Sequence, residues 1–99
     1  MSFRVRYTRT ARDDLRRLYE FLLKKDLNAA RRARDAIAKG IEVLAESPFT
    51  CRKAAPNTPL LRELIIPFGS AGYVALFEIE NHETVTILAI RHQREDDYY

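Results

Sequence analysis

The chain opens with an alternation of apolar and basic residues, Phe3-Arg4-Val5-Arg6-Tyr7, which predicts a short half-buried strand with its arginines on one face. The period then changes. Ala11, Leu15, Leu18, Tyr19, Leu22 and Leu23 recur at helical spacing and predict one buried helix face. Thr10 with Asp13 three positions on has the form of a capping box with a shorter carboxylate, so the helix is expected to start there. Asp13 and Asp14 suit its N-terminal dipole, and Lys24 and Lys25 suit its C-terminal one. After a break at Asp26-Leu27-Asn28, Asn28 is the expected cap of a second helix whose seam is Ala30, Ala33, Ile37, Ile41 and Leu44. Gly40 inside that seam costs ~1 kcal/mol relative to alanine, and Ser47-Pro48 ends the pattern because proline disfavours a helical residue before it. Two helices joined so tightly form a helical hairpin.

Residues 49–59 hold two prolines and no period, so they are expected to form a loop, one that carries Arg52 and Lys53. Three strand-like runs follow: Leu60 to Ile66, Tyr73 to Glu80 and Thr84 to Arg91. The gaps between them, 67–72 and 81–83, are of hairpin length and predict an antiparallel meander. In the last run Val85, Ile87 and Ala89 alternate with Thr84, Thr86 and Leu88, which predicts one face on the helices and the other partly open. The expected fold is α+β, in the order β-α-α-β-β-β, with the helical hairpin on one face of an antiparallel sheet. The opposite face is either solvated or covered by a partner.

At 99 residues the expectation is a single domain over 1–99, and 46% hydrophobic with 31% charged residues excludes both disorder and a membrane protein. A chain this short has a thin core, so a partner that binds the native state adds to its stability. The lone Cys51 excludes an internal disulfide and a zinc module, and fits a reducing cytosol. Neither a signal peptide nor an apolar span is expected, so the reading is a cytoplasmic protein. Residues 1–34 carry 11 Lys and Arg against 4 Asp and Glu, while residues 35–99 carry 6 against 10. The basic half suits nucleic acid or an acidic protein, and the acidic half argues against a uniform nucleic-acid coat.

Four segments add family information. Thr10-Ala11-Arg12-Asp13-Asp14-Leu15, Ser47-Pro48-Phe49, LRELIIPFGSAGY at 61–73 and VTILAIRHQREDDYY at 85–99 together resemble the RelE/ParE superfamily of bacterial toxins. The PFGSAGYVAL turn and the RHQRE ending resemble the ParE branch more than the RelE branch. The resemblance implies a toxin of a type II toxin-antitoxin (plasmid stabilisation) module, neutralised by direct binding of a cognate antitoxin. ParE-type members poison DNA gyrase by trapping its cleaved-DNA complex. RelE-type members cut messenger RNA in the ribosomal decoding site. The leading expectation is a gyrase inhibitor that is not itself an enzyme and needs no metal or small-molecule cofactor. The alternatives are a RelE-like endoribonuclease, with the ribosome and mRNA as partners, and a non-toxic antitoxin-binding remnant.

A ribonuclease of this kind needs an acid/base pair and a cation for the crowded phosphorane. The resemblance puts Arg62 where the superfamily has a strand arginine and Tyr98 or Tyr99 where some members have a terminal aromatic; with His92 to exchange a proton these are the candidates, and Arg52 and Lys53 are available to phosphate. Glu63, Glu78, Glu80, Glu95, Asp96 and Asp97 make the surroundings unwelcoming to an RNA backbone. As contacts for gyrase or antitoxin the candidates are Arg62, Arg91, Arg94, Tyr98 and Tyr99. Structural readings stand beside these. Arg62 next to Glu63 reads also as a strand-face ion pair, and His92 as a hydrogen-bonded strand-end residue. Arg31, Arg32 and Arg34 spread too far round a helix to track one phosphate row, Gly69 and Gly72 read as turn residues, and His82 as a surface residue. Cys51 next to Arg52 and Lys53 is placed where its pKa would fall, but with no paired histidine it reads as incidental.

Overall fold

The computed structural model describes residues 2–94. Its elements are β1 (Arg4–Tyr7), α1 (Arg9–Leu23), α2 (Leu27–Glu46), a 3-10 turn (Pro48–Thr50), β2 (Arg52–Lys53), β3 (Leu61–Phe68), β4 (Ala71–Ile79) and β5 (Thr84–His92). Two helices pack on one face of a five-stranded sheet, the expected α+β arrangement, with the strands in the order β1-β5-β4-β3-β2. The sheet is mixed. β1 runs parallel to β5, with Val5 opposite Val85, and every other pair is antiparallel. The chain leaves the helical hairpin at the far edge, at β2, and works back through β3 and β4 until β5 lies beside β1.

Both helices begin earlier than the caps read from sequence. Thr8, not Thr10, caps α1: its hydroxyl accepts from Ala11 N at 3.0 Å and donates to Leu88 O at 2.9 Å, so the cap is tied to β5. Asp26, not Asn28, caps α2 by accepting from Asn28 N and Ala29 N at 2.9 and 3.3 Å. Leu23 lies at the end of α1 and is exposed. Helix α2 runs through Gly40, where an added Cβ would lie 2.9 Å from Ile66 Cγ1; the missing side chain lets α2 sit close on β3.

The segment expected as a featureless loop contains β2, which adds Arg52 opposite Glu63 at the sheet edge. The β3–β4 connection is tighter than expected: the strands continue to Phe68 and resume at Ala71, leaving Gly69-Ser70 as a two-residue turn. Gly69, at φ +62°, takes the first central position, where a type II′ hairpin turn favours glycine.

The core joins Ala11, Leu18, Ala33, Ile37, Ile41 and Leu44 of the helices to Leu64, Ile66, Phe77, Val85, Ile87 and Ile90 of the sheet. The expected inward set on β5 was Val85, Ile87 and Ala89. A register shift lies opposite Leu76/Phe77, where Leu76 pairs with Ala89 and Phe77 with Ile87. The extra residue, Leu88, reverses the alternation, so Ile90 and not Ala89 joins the core cluster. On the helix-free face Ile65 is exposed, and Leu76 and Leu88 are half-buried.

Candidate functional site

Arg62 lies at the start of β3, and its guanidinium is held by backbone. Nε donates to Pro59 O at 2.8 Å, and Nη1 donates to Phe49 O at 3.1 Å and Cys51 O at 2.7 Å. The same group lies 5.3 Å from the centre of the Phe49 ring. Arg62 therefore fastens the 3-10 turn and the 49–60 segment onto the sheet. It is not ion-paired with Glu63 here: Arg52 approaches that carboxylate, with Nε and Nη2 each 3.0 Å from Oε1. Burial raises the Cys51 thiol above its ordinary pKa, and the Arg62 charge only partly opposes this. Cys51 is thus not the depressed thiol suggested by its basic neighbours in sequence.

His92 ends β5 at the far end of the sheet. Its ring packs edge-on against Tyr73, with centroids 5.6 Å apart and an interplanar angle of 86°, and Nδ1 accepts from Arg94 N at 3.1 Å. Burial raises the Tyr73 pKa, so its phenol stays neutral at ordinary pH. Arg62 stands opposite Phe77 and His92 opposite Tyr73, four residues apart along β4, or about 13 Å, and on strands either side of it. The structure does not bring these two candidates into one site. Tyr98 and Tyr99 lie outside the described residues.

Arg91 and Arg94 separate as well. Arg91 falls between Ile90 and His92 and so on the other sheet face, its Nη1 donating to His92 O and Gln93 O at 3.3 and 3.4 Å. Arg94 is exposed and reaches Ser70 Oγ at 3.3 Å. It borders a cleft of about 830 Å³ that α1 walls with Arg17 and Phe21, the turn after it with Lys25, and the strands with Phe68, Tyr73 and His92.

A second, smaller groove of about 400 Å³ lies between the helices. Leu15, Leu18, Ala30, Ala33, Ile37 and Ile41 line it with Tyr7, and the exposed Arg16 and Arg34 border it. Arg34 lies over the Tyr19 ring, with Cζ 5.9 Å from its centre. Burial raises the Tyr7 pKa. The alanines on α2 keep the groove open, since larger residues there would fill it. The periodicity marked these alanines as core, and they are buried, but it gave no sign of the groove that they border.

Sequence reasoning gave Asp14 to the helix dipole and missed its bond to β5. It is only 3% exposed, and Oδ2 accepts from Ile90 N at 2.8 Å, while Oδ1 lies 3.7 Å from Arg17 Nη2. β1 pairs with β5 only as far as Ile87. Beyond it, the Thr8 hydroxyl and the Asp14 carboxylate bond to the β5 edge in place of a strand. The signal was available: Ala11, Asp14 and Leu18 sit at i, i+3 and i+7, on the buried stripe. Among the described residues, no group of three or more His, Cys, Asp or Glu side chains is placed to hold a metal ion, and no helix is long and apolar enough to cross a membrane.

Residues 5–97 match the family model of the ParE toxin of type II toxin-antitoxin system, parDE. The chain belongs to this family. It is 33% identical over 79 residues to Toxin RelE1 of Caulobacter vibrioides, covering 80% of this chain and 82% of that one. Toxin RelE3 of the same organism is 38% identical over 85 residues, covering 86% and 88%. Among solved structures, the chromosomal ParDE TA system from P. aeruginosa superposes with a TM-score of 0.73, covering 92% of this chain and 96% of that one at 20% identity. That likeness shows the same fold. The protein is a toxin of a type II toxin-antitoxin system, of the ParE/RelE family.

Proposed function

We propose that this toxin inhibits DNA gyrase and is held inactive by a cognate antitoxin seated in the groove between α1 and α2. The observation that carries the gyrase reading is the separation of Arg62 from His92, with Arg62 donating to three backbone carbonyls. Cutting RNA requires a cation and a proton-transfer group on one phosphate, and Arg62, held on the β2 side of the sheet, is not placed to serve as that cation beside His92. Inhibition by docking needs no such assembly. The family match over residues 5–97 supports the same reading. Supercoiling of relaxed plasmid by gyrase and ATP tests it: the expected result is loss of supercoiled product as toxin is added. Full supercoiling at saturating toxin overturns it.

An antitoxin suits the α1–α2 groove because its apolar walls are bordered by Arg16 and Arg34, complementary to an amphipathic segment with an acidic edge. Charge reversal at both positions, Arg16→Glu with Arg34→Glu, is expected to weaken antitoxin binding about tenfold in calorimetry. Unchanged affinity would move the antitoxin elsewhere. The second reading, a ribosome-dependent endoribonuclease, draws on the RelE names of the two Caulobacter relatives. Primer extension on messenger RNA after brief induction separates the two, since new cut ends appear only if it is right.

A further inference from the structure

We infer that the cleft between α1 and the β3–β4 turn is a second docking site, one that takes an acidic protein segment carrying an aromatic or aliphatic anchor. The inference stands on the cleft itself and does not depend on whether gyrase is the target. Arg17 and Phe21 occur at i and i+4 on α1, and Lys25 follows in the turn just after the helix, its Nζ over the Phe21 ring, so the three line one side of the cleft. Facing them are Arg94, tethered to Ser70, and His92. No aspartate or glutamate is among the described lining residues. Arg17 already shares the Asp14 carboxylate, so Lys25 and Arg94, both exposed, carry most of the field.

The apolar part of the site is equally specific. The Phe21 side of the cleft is open: this residue is 57% exposed, unusual for a phenylalanine, and Lys25 Nζ lies 4.5 Å from its ring centre. Tyr73 and Phe68 form a tilted pair on the opposite wall, with centroids 6.0 Å apart. A ring or branched side chain entering between these walls would bury Phe21, while a carboxylate beside it reaches Lys25 or Arg94. A nucleic-acid strand fits less well, because two strong cations and one shared arginine are few for a phosphate track.

The cleft is also distinct from the α1–α2 groove. The two lie on either side of α1 and share only Leu18 and Tyr73 as lining. Two segments can therefore engage α1 from opposite sides. The chain's own residues 95–99, Glu-Asp-Asp-Tyr-Tyr, have the composition that this cleft selects, so the test distinguishes an attached source from a partner.

The probe is a short synthetic peptide alternating Asp with Tyr and Leu, added to the full-length protein and followed by fluorescence anisotropy and by amide 1H–15N shifts. The expected result is movement of the Phe21, Lys25, Gly69 and Ser70 amides, with those of Ala30, Ala33 and Ala38 unmoved. Lys25→Glu with Arg94→Glu should weaken binding about tenfold, and Arg31→Glu with Arg32→Glu should not. Absence of binding, shifts confined to the α1–α2 groove, equal loss in both double variants, or tighter binding of an oligonucleotide of the same charge would each overturn the inference. So would a gain of more than about tenfold when Glu95, Asp96 and Asp97 are all replaced by Ala, since the chain's own segment would then be the occupant.

Discussion

Arg62 and Arg94 bracket the sheet and do opposite things. At the β2 end, Arg62 is ringed by the carbonyls of Phe49, Cys51 and Pro59. At the other end, Arg94 is exposed and its guanidinium donates a long hydrogen bond to a serine hydroxyl, beside a cleft that carries positive charge. The difference lies in the acceptors. A guanidinium surrounded by main-chain oxygens is part of the fold, because its loss leaves several carbonyls without a donor. One that faces solvent contributes little to stability and much to the local field.

The contrast is sharpest in unfolding experiments. Arg62→Ala is expected to lower stability by about 2–3 kcal/mol in urea denaturation, through the loss of charge-assisted hydrogen bonds to carbonyls. Arg62→Lys should recover less than half of that, because an ammonium cannot reproduce the fork. Arg94→Ala should stay within about 0.5 kcal/mol of the parent. Equal losses at the two positions would end the contrast.

Asp14 extends the comparison to the cleft end, where a carboxylate does for one amide what Arg62 does for three carbonyls. Asp14→Ala is expected to cost about 2 kcal/mol by leaving the Ile90 N–H buried and unpaired, and Asp14→Asn should restore most of it, since its amide oxygen still accepts. If Asp14→Asn is as damaging as Asp14→Ala, the charge toward Arg17 matters more than the hydrogen bond. Hydrogen exchange at the Ile90 amide reports the same event directly, with faster exchange expected in Asp14→Ala.

A smaller effect separates the two ends by pH. Cys51 beside Arg62, Tyr73 in the cleft and Tyr7 in the groove are all raised by burial. Each is neutral when protonated and gives up its proton more readily when unfolded. Their stabilising contribution is therefore complete below the unfolded thiol value, near pH ~8.5, and declines as pH rises above it. Stability measured from pH 7 upward should fall first with the thiol, and Cys51→Ser should remove that first step only. A flat profile through that region would contradict the burial of Cys51.

Much of the fold was legible because periodicity reports burial. The stripe on α1, the alanine seam on α2 and the three strand runs all depend on which side of an element is dry. Two of the failures concern polar groups whose partners are remote in sequence. Thr8 caps its helix while also bonding to Leu88, and Asp14 was assigned to a helix dipole when its partner is an amide on β5. The bulge at Leu88 shifted the inward set by one residue, which no alternation rule foresees. For the site, the sequence offered arginines, a histidine and tyrosines but not their distances. The roles of Arg62 and His92 diverge only once β3 and β5 are placed on either side of β4. The cleft side of α1 went unnoticed because Phe21 is off the buried stripe, where an exposed aromatic carries no periodic signal.

The most direct test of gyrase inhibition is a trapping experiment. Full-length toxin is incubated with gyrase, plasmid and ATP, and detergent and protease then reveal broken DNA. Linear plasmid is expected to accumulate with toxin and to disappear when the cognate antitoxin is added. Intact plasmid at every toxin concentration, together with newly cut messenger RNA in induced cells, would contradict it.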